Sequence, residues 1–309
     1  NNRLEPLNKS GFALEKDIQT LVERNLSSLF GLEFVSTEFA IDDFRIDTLA
    51  FDEENSAFVI IEYKKGNSYS VVDQGYAYLS KMLEKKADFV LEYQESTGKQ
   101  IKKGDVDWTQ SRVVFISPAF NAYQKNSVNF RDVPFELWEI RKYGKDLIGL
   151  EQHKATSKES IEKFKATSAE IANVSSEIEV VDEQDHLARS SAEVAEIWDN
   201  IKEYFAQFPD ITYSSKKHYI SIKRESAAVC FVHFQRNCLR INIRKGNIYA
   251  DGKTKSSGFF ELDDPKEMSE ERTFKWQSGV TGVDYTINLK DKRDLEYFLW
   301  LLKQKYDAI

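Results

Sequence analysis

Three charged side chains on two neighbouring strand-like segments carry the chemical content of this 309-residue chain: Asp47, in FRIDTLAF (44–51), and Glu62 and Lys64, in AFVIIEYKKG (57–66). Both segments are rich in β-branched and aromatic residues, as strands are. The polar DEENS stretch between them (52–56) reads as a turn. If Glu53 and Ser56 flank that turn as an antiparallel pair, Asp47 falls directly opposite Glu62. Lys64, two residues on, points to the same face. Carboxylates facing each other across a ladder repel, so such a pair makes sense if a hard cation sits between them. Mg²⁺ takes oxygen ligands, commonly one or two carboxylates with water and phosphate. It acidifies water and neutralises phosphate charge. A lysine beside it can orient the attacking water, help deprotonate it, or stabilise the developing anion. That set is the minimum for phosphodiester hydrolysis; the plain alternative is a hairpin with a solvated, charged outer face.

Three further features favour the chemical reading. Residues 12–30 read as one amphipathic helix with Leu14, Ile18, Leu21, Val22, Leu26 and Leu29 on its apolar stripe. Glu15 falls within that stripe, so it is expected to be paired, protonated or near a metal. Its place near a helix N-terminus offers a milder explanation. Val59, Ile60 and Ile61 form an apolar run buried on both faces, so Glu62 and Lys64 lie at the end of a central strand, where α/β sites collect. In the next helix Val72, Tyr76, Leu79 and Leu83 form the core stripe. Gln74 and Tyr78 lie one turn apart on another face and can act together. Gly75, costly in a helix by about 1 kcal/mol, is expected to permit close approach of another backbone or a ligand.

On these residues the chain from about Gly11 to Leu150 resembles a PD-(D/E)xK nuclease domain of the restriction-endonuclease-like superfamily, in its RecB-like branch. The helical acid resembles Glu15 in LEKDIQTLVERNL, the aspartate Asp47, the E-x-K Glu62-Tyr63-Lys64, and the Q-x-x-x-Y helix Gln74 to Tyr78. Ile46 stands where the superfamily's name has proline. The resemblance implies an α/β fold: a mixed sheet flanked by helices on an αβββαβ core, followed by a second, smaller α+β domain. It implies Mg²⁺, or Mn²⁺ in its place, held by Asp47, Glu62, the carbonyl of Tyr63 and Glu15. Lys64 is then set to position or activate water, and Gln74 and Tyr78 to orient Lys64 or a phosphate. The implied activity is a deoxyribonuclease, endonuclease rather than exonuclease, in repair, restriction or defence. The alternative is a catalytically silent nuclease fold that binds nucleic acid or a protein partner.

The length suits two domains. Residues 1–150 are expected to form the nuclease-like domain and 151–190, rich in Ser, Thr, Glu and Lys, a flexible or partly helical linker. Residues 191–309 then form an α+β domain for substrate or partner recognition, which resembles a small domain of unknown function appended to RecB-like nucleases. Within it, 191–208 and 292–306 read as helices, and 218–223, 227–235, 239–245 and 284–289 as strands. In the first domain 87–93 and 111–118 read as strands, and 135–142 with 147–150 as a closing hairpin around Tyr143-Gly144-Lys145.

The formal net charge is −8, which speaks against a general nucleic-acid binder, so DNA must be met by local patches. One candidate is the 94–110 loop with Lys99, Lys102 and Lys103, although lysine runs on loops are more often simply solvated. Another is the strand face with Arg240, Asn242 and Arg244, for a nucleic-acid strand or a partner, equally readable as a solvated sheet face; arginine on an edge strand is also ordinary protection against aggregation. The chain begins with Asn1, not Met, as a trimmed chain would, and opens with no basic-then-apolar leader. It has no apolar run long enough to span a membrane. Two cysteines in apolar patterns, Cys230 and Cys238, suit reduced thiols in a cytoplasmic protein. No P-loop and no zinc spacing is present. Paired cuts on two strands would call for a homodimer.

Overall fold

The computed structural model describes residues 8–65, 71–144, 147–157, 159–161, 168–225, 227–248, 260–275 and 280–309. Lys145, expected in a hairpin turn, lies outside them. The chain divides into two compact units, 1–180 and 181–309. The fold class is as expected: a mixed sheet flanked by helices, then a second unit built on an antiparallel sheet.

The first unit runs β1 (Lys9–Ser10), α1 (Glu15–Arg24), α2 (Leu26–Phe30), β2 (Glu33–Ile41), β3 (Phe44–Asp52), β4 (Ala57–Tyr63), α3 (Val71–Glu84), α4 (Lys86–Thr97), β5 (Arg112–Ser117), α5 (Ala122–Ser127), β6 (Phe135–Tyr143), β7 (Leu147–His153) and α6 (Ala169–Glu177). Strand order is β1-β6-β5-β4-β3-β2, with β7 also on β6. β4, β5 and β6 are parallel; the other pairs are antiparallel. β4 is central and buried along its whole length. Its alternate residues serve two cores: Phe58 and Ile60 pack with Tyr76, Leu79, Met82, Phe89 and Tyr93 of α3 and α4, while Val59, Ile61 and Tyr63 pack with Ile18, Val22 and Leu26 of α1 and α2. Each such large apolar side chain contributes roughly 1.5–3 kcal/mol on burial. This two-sided burial pins the strand's register and its end.

Several expectations are corrected. Residues 12–30 are two helices broken at Asn25, not one, and Leu14 is exposed rather than in the core. Residues 87–93 are helix α4, not a strand: Phe89, Val90 and Tyr93 recur at helical spacing, and Gly98 caps the end at φ 70°. Apolar runs this short fit either period. Much of 151–190, expected as a linker, packs in the first unit. His153 still pairs with Leu137, and Ile161 N–H donates to Asp132 Oδ1 at 2.8 Å. Val174 of α6 is buried with Ile178, and Glu179 N–H donates to Thr109 O at 2.9 Å. Ile171 and Val174 on that helix and Ile178 just after it carry the apolar contact, few enough to vanish in a polar composition.

The second unit runs α7 (Glu183–Leu187), α8 (Ala192–Phe205), β8 (Ile211–Ser215), β9 (Ile220–Arg224), β10 (Ala227–Gln235), β11 (Cys238–Ile248), β12 (Glu270–Lys275), β13 (Thr281–Leu289) and α9 (Leu295–Ala308). Its sheet order is β12-β13-β11-β10-β9-β8, antiparallel throughout. α8 and α9 cover it with Val194, Ile197, Trp198, Ile201, Phe298, Leu301 and Leu302. β8 and β12 add to the strands expected from sequence. Cys230 and Cys238 are free thiols, and burial pushes the Cys230 thiol far up. No helix among the described residues is long and apolar enough to cross a membrane.

Candidate active site

The β3–β4 hairpin adopts the register inferred from its turn. Asp52 pairs with Ala57, and the ladder runs to Thr48 opposite Ile61. One step further in that register, Asp47 faces Glu62. Tyr63 N–H donates to Asp47 Oδ2 at 3.0 Å, fixing the carboxylate against β4. Lys64 N–H donates to Ile116 O at 2.9 Å, so β5 holds the end of the motif.

Glu62 is the centre of the cluster. Its Oε1 accepts from Lys64 Nζ at 2.8 Å and from Gln74 Nε2 at 2.7 Å. Its Oε2 is buried and accepts no hydrogen bond among the described residues. A buried carboxylate oxygen without a donor is costly. Gln74 Nε2 also donates to Tyr78 Oη at 3.0 Å, and the Tyr78 hydroxyl donates to Arg45 O at 3.0 Å. Helix α3 thus clamps Glu62 and the β3 backbone through two side chains one turn apart.

The electrostatics follow from this crowding. Burial first, then the charge of Glu62, push the Asp47 carboxyl up to about 6; the Tyr63 N–H and Lys64 oppose this only in part. Burial and the charge of Glu62 likewise hold the Tyr78 phenol well above its usual range, so it stays protonated as a donor. Two facing carboxylates, one with a buried oxygen that accepts no hydrogen bond among the described residues, make a pair of hard oxygen donors.

Five of the six residues read from sequence therefore meet: Asp47, Glu62, Lys64, Gln74 and Tyr78. Glu15 differs from expectation. It is exposed in the first turn of α1, where a carboxylate is favoured by the helix dipole, and its Oε1 accepts Lys65 N–H at 2.6 Å. The helix begins at Glu15, so the buried face falls to Ile18, Gln19 and Val22 instead. Among the described residues no group of three His, Cys, Asp or Glu side chains is spaced to hold a metal ion. The side chains that could hold one are Asp47 and Glu62. Tyr63, expected to offer its carbonyl, gives its N–H to Asp47, and its hydroxyl lies 3.2 Å from Thr48 Oγ1 on the other side of the sheet.

Two supporting residues escaped sequence reasoning. Gln19 is buried, and its Nε2 reaches Asp47 O at 2.7 Å, Thr37 Oγ1 at 3.0 Å and Glu23 Oε1 at 3.0 Å. A polar residue between Ile18 and Val22 on the buried stripe was its only signal. Glu38 pairs with Lys16 and Arg45 beside the site, and nothing local in the sequence marks it.

The lysines proposed to meet nucleic acid lie elsewhere. Lys99 is tied to Glu33 at 2.6 Å and Glu53 at 2.7 Å. Burial disfavours its charge, but these two acids more than offset that. Glu53 lies in the hairpin turn, six residues from Asp47 and roughly 20 Å along the strand. Lys102 and Lys103 flank the same end: Lys102 N–H donates to Asp105 Oδ2 at 2.9 Å, and Lys103 O accepts Trp108 Nε1–H at 3.0 Å. In the second unit Arg244 Nε lies 2.6 Å from Asp284 Oδ1, with its guanidinium between the rings of Phe231 and Phe274 at 5.2 and 4.7 Å. Arg240 sits half-buried, opposite His233 and Asn288.

Residues 183–308 match the family model described as "Domain of unknown function (DUF5655)". A solved structure, "Structure of EndoMS-dsDNA2 complex", covers 41% of this chain and 45% of its own at 16% identity with a TM-score of 0.23; so slight a likeness decides nothing about fold or chemistry. An "Uncharacterized protein" of Haemophilus influenzae (strain ATCC 51907 / DSM 11121 / KW20 / Rd) is 40% identical over 306 residues, spanning 98% of this chain and 96% of that protein. At that identity over nearly the full length of both, the chain belongs to the same family as this Haemophilus influenzae protein.

Proposed function

We propose that the chain is a metal-dependent nuclease of the PD-(D/E)xK type, RecB-like branch, hydrolysing phosphodiester bonds of DNA, as an endonuclease rather than an exonuclease. The observation that carries this reading is Glu62: its Oε1 is fixed by Lys64 and Gln74, its buried Oε2 has no donor among the described residues, and its charge bears on Asp47. Asp47 and Glu62, with the Tyr63 carbonyl, are the groups that would hold Mg²⁺ or Mn²⁺. Such an ion, when bound, neutralises phosphate charge and acidifies water. Lys64, at the end of β4, holds its ammonium where it can orient or help deprotonate the attacking water. Gln74 keeps Glu62 in place, and Tyr78 keeps Gln74 and the Arg45 carbonyl in place. Glu15 acts at the rim by fixing the Lys65 backbone. The second unit supplies substrate or partner recognition. A cytoplasmic role in repair, restriction or defence fits such chemistry, with a homodimer, testable by light scattering, for paired cuts.

The test is a cleavage panel of single-stranded, duplex, branched and mismatched DNA with Mg²⁺ or Mn²⁺. Asp47→Ala and Lys64→Ala should abolish cutting while the circular dichroism spectrum is retained. Undiminished cutting by Asp47→Ala removes the assignment.

One observation favours the second reading, a silent nuclease fold that binds nucleic acid or a protein. Two carboxylates rather than three are placed for a metal among the described residues, and Glu15 is engaged by Lys65. Calorimetric titration separates the two readings: heat from Mg²⁺ or Mn²⁺ lost in Asp47→Ala supports the nuclease, and no heat in the wild type supports the silent module.

A further inference from the structure

Glu38 lies in the middle of β2, between the pairs Thr37↔Thr48 and Phe39↔Ile46, and thus across from Asp47. Its φ is 55°. A non-glycine residue in that region costs of order 1–3 kcal/mol, and such strain gathers at functional sites. The Glu38 carboxylate meets a cation at each oxygen: Lys16 Nζ at Oε1, 2.8 Å away, and the Arg45 guanidinium at Oε2. It is thereby engaged and is no metal ligand. The two cations are different. The side chains of Lys16 and Arg45 remain 56% and 68% exposed, and an ammonium and a guanidinium carry three and five N–H donors.

Both cations are anchored to the site from behind. The Arg45 carbonyl takes the Tyr78 hydroxyl, and Arg45 is two residues from Asp47. Lys16 follows Glu15, whose carboxylate holds the Lys65 N–H. A polyanion approaching Asp47 and Glu62 on a chain of net charge −8 needs cations at that place. Lys99 cannot serve there, being bound to Glu33 and Glu53 at the hairpin's far end. An arginine fork suits a phosphate with two N–H donors at once.

We infer that Lys16 and Arg45, spaced by Glu38, form a contact for a DNA backbone phosphate next to the one cleaved. The inference rests on the nuclease reading of the same site. Glu38 sets the two cations at one spacing and, by its charge, limits how tightly they hold the backbone.

The experiment measures binding of the full chain to a short fluorescein-labelled DNA duplex in EDTA over a series of salt concentrations. Arg45→Ala and Lys16→Ala are each expected to lower the slope of log K against log salt by about 1. Glu38→Gln keeps hydrogen bonding, removes the competing charge, and is expected to bind more tightly; it also decides the case if an alanine variant fails to fold. Slopes equal to wild type in both alanine variants, or unchanged affinity in Glu38→Gln, overturn the inference. A wild type that cuts DNA with unchanged variant slopes sinks the inference alone. A wild type that binds with the expected slopes but never cuts sinks the cleavage reading alone. A wild type that neither binds nor cuts sinks both.

Discussion

Asp47 stands one ladder step beyond the Thr48↔Ile61 pair, facing Glu62, and that neighbour's charge is second only to burial in pushing the Asp47 carboxyl up to about 6. The fold therefore holds a carboxylate in a place that resists its ionisation. A carboxylate whose pKa is raised on folding costs nothing at pH values below its unfolded value near 4. The cost grows as pH rises from about 4 to about 6 and is constant above. Asp47→Asn should thus stabilise the metal-free protein at pH 7.5 by about 1–3 kcal/mol and give no gain at pH 4. Thermal melts in EDTA measure this, and a lower melting temperature for the variant at pH 7.5 contradicts it. Added Mg²⁺ should raise the wild-type midpoint and leave the variant's unchanged.

Gln74 holds Glu62 Oε1 at 2.7 Å and Tyr78 Oη at 3.0 Å. Removing a group that orients a metal-binding side chain lowers affinity or rate by about 10–100-fold. Gln74→Ala should lower the cleavage rate by that factor and require more Mg²⁺ for half-maximal activity. A rate and metal dependence equal to wild type would show that Lys64 alone positions Glu62.

Gly75 faces the ring of Phe135. A Cβ built there would lie 2.6 Å from Cε1, and the ring is itself packed on Tyr76 and Phe115. Helix propensity favours alanine by about 1 kcal/mol, but overpacking typically costs about 1–3 kcal/mol. Gly75→Ala should therefore destabilise the protein in urea titrations, although the site is a helix interior. The sequence leads one to expect another backbone or a ligand there; the close neighbour is instead this side-chain ring.

Gln19 donates to the Asp47 carbonyl, Thr37 and Glu23 from a buried position. Gln19→Leu keeps the volume but leaves these acceptors unmet, at about 1–3 kcal/mol. Chemical denaturation should show that loss, with cutting reduced at temperatures where the variant is still folded. A stability equal to wild type would mean water replaces the amide without penalty.

In the second unit, burial first and Arg240 second push the His233 imidazole down to about 4, with its Nδ1 3.1 Å from His218 O. A base depressed on folding leaves stability intact above about pH 6.5. Stability is lost as pH falls towards 4, because the unfolded chain then binds a proton that the folded one refuses. At pH 5 the loss should be about 1–2 kcal/mol, and His233→Gln should remove that share of the acid sensitivity. Identical pH–stability curves for the two proteins in that window would exclude it.

What the residues determined by themselves was local and periodic. The DEENS turn fixes the hairpin register, and the register puts Asp47 opposite Glu62. A period of two puts Lys64 beside Glu62, and helical spacing puts Gln74 with Tyr78. These follow from bond geometry over a few residues, and the burial of β4 on both faces holds the same register. The tertiary structure decided what depends on distant partners. Helix α1 starts at Glu15, and that start turns the acid outwards and makes Gln19 the buried polar residue. Phe89, Val90 and Tyr93 became helix because the core over Phe58 accepts that face. Glu33 and Glu53 took Lys99, and Glu38, against its backbone preference, set Lys16 and Arg45 beside the carboxylates. Ion pairs and strained backbone are settled by which elements meet across the sheet, and sequence neighbours carry no record of that.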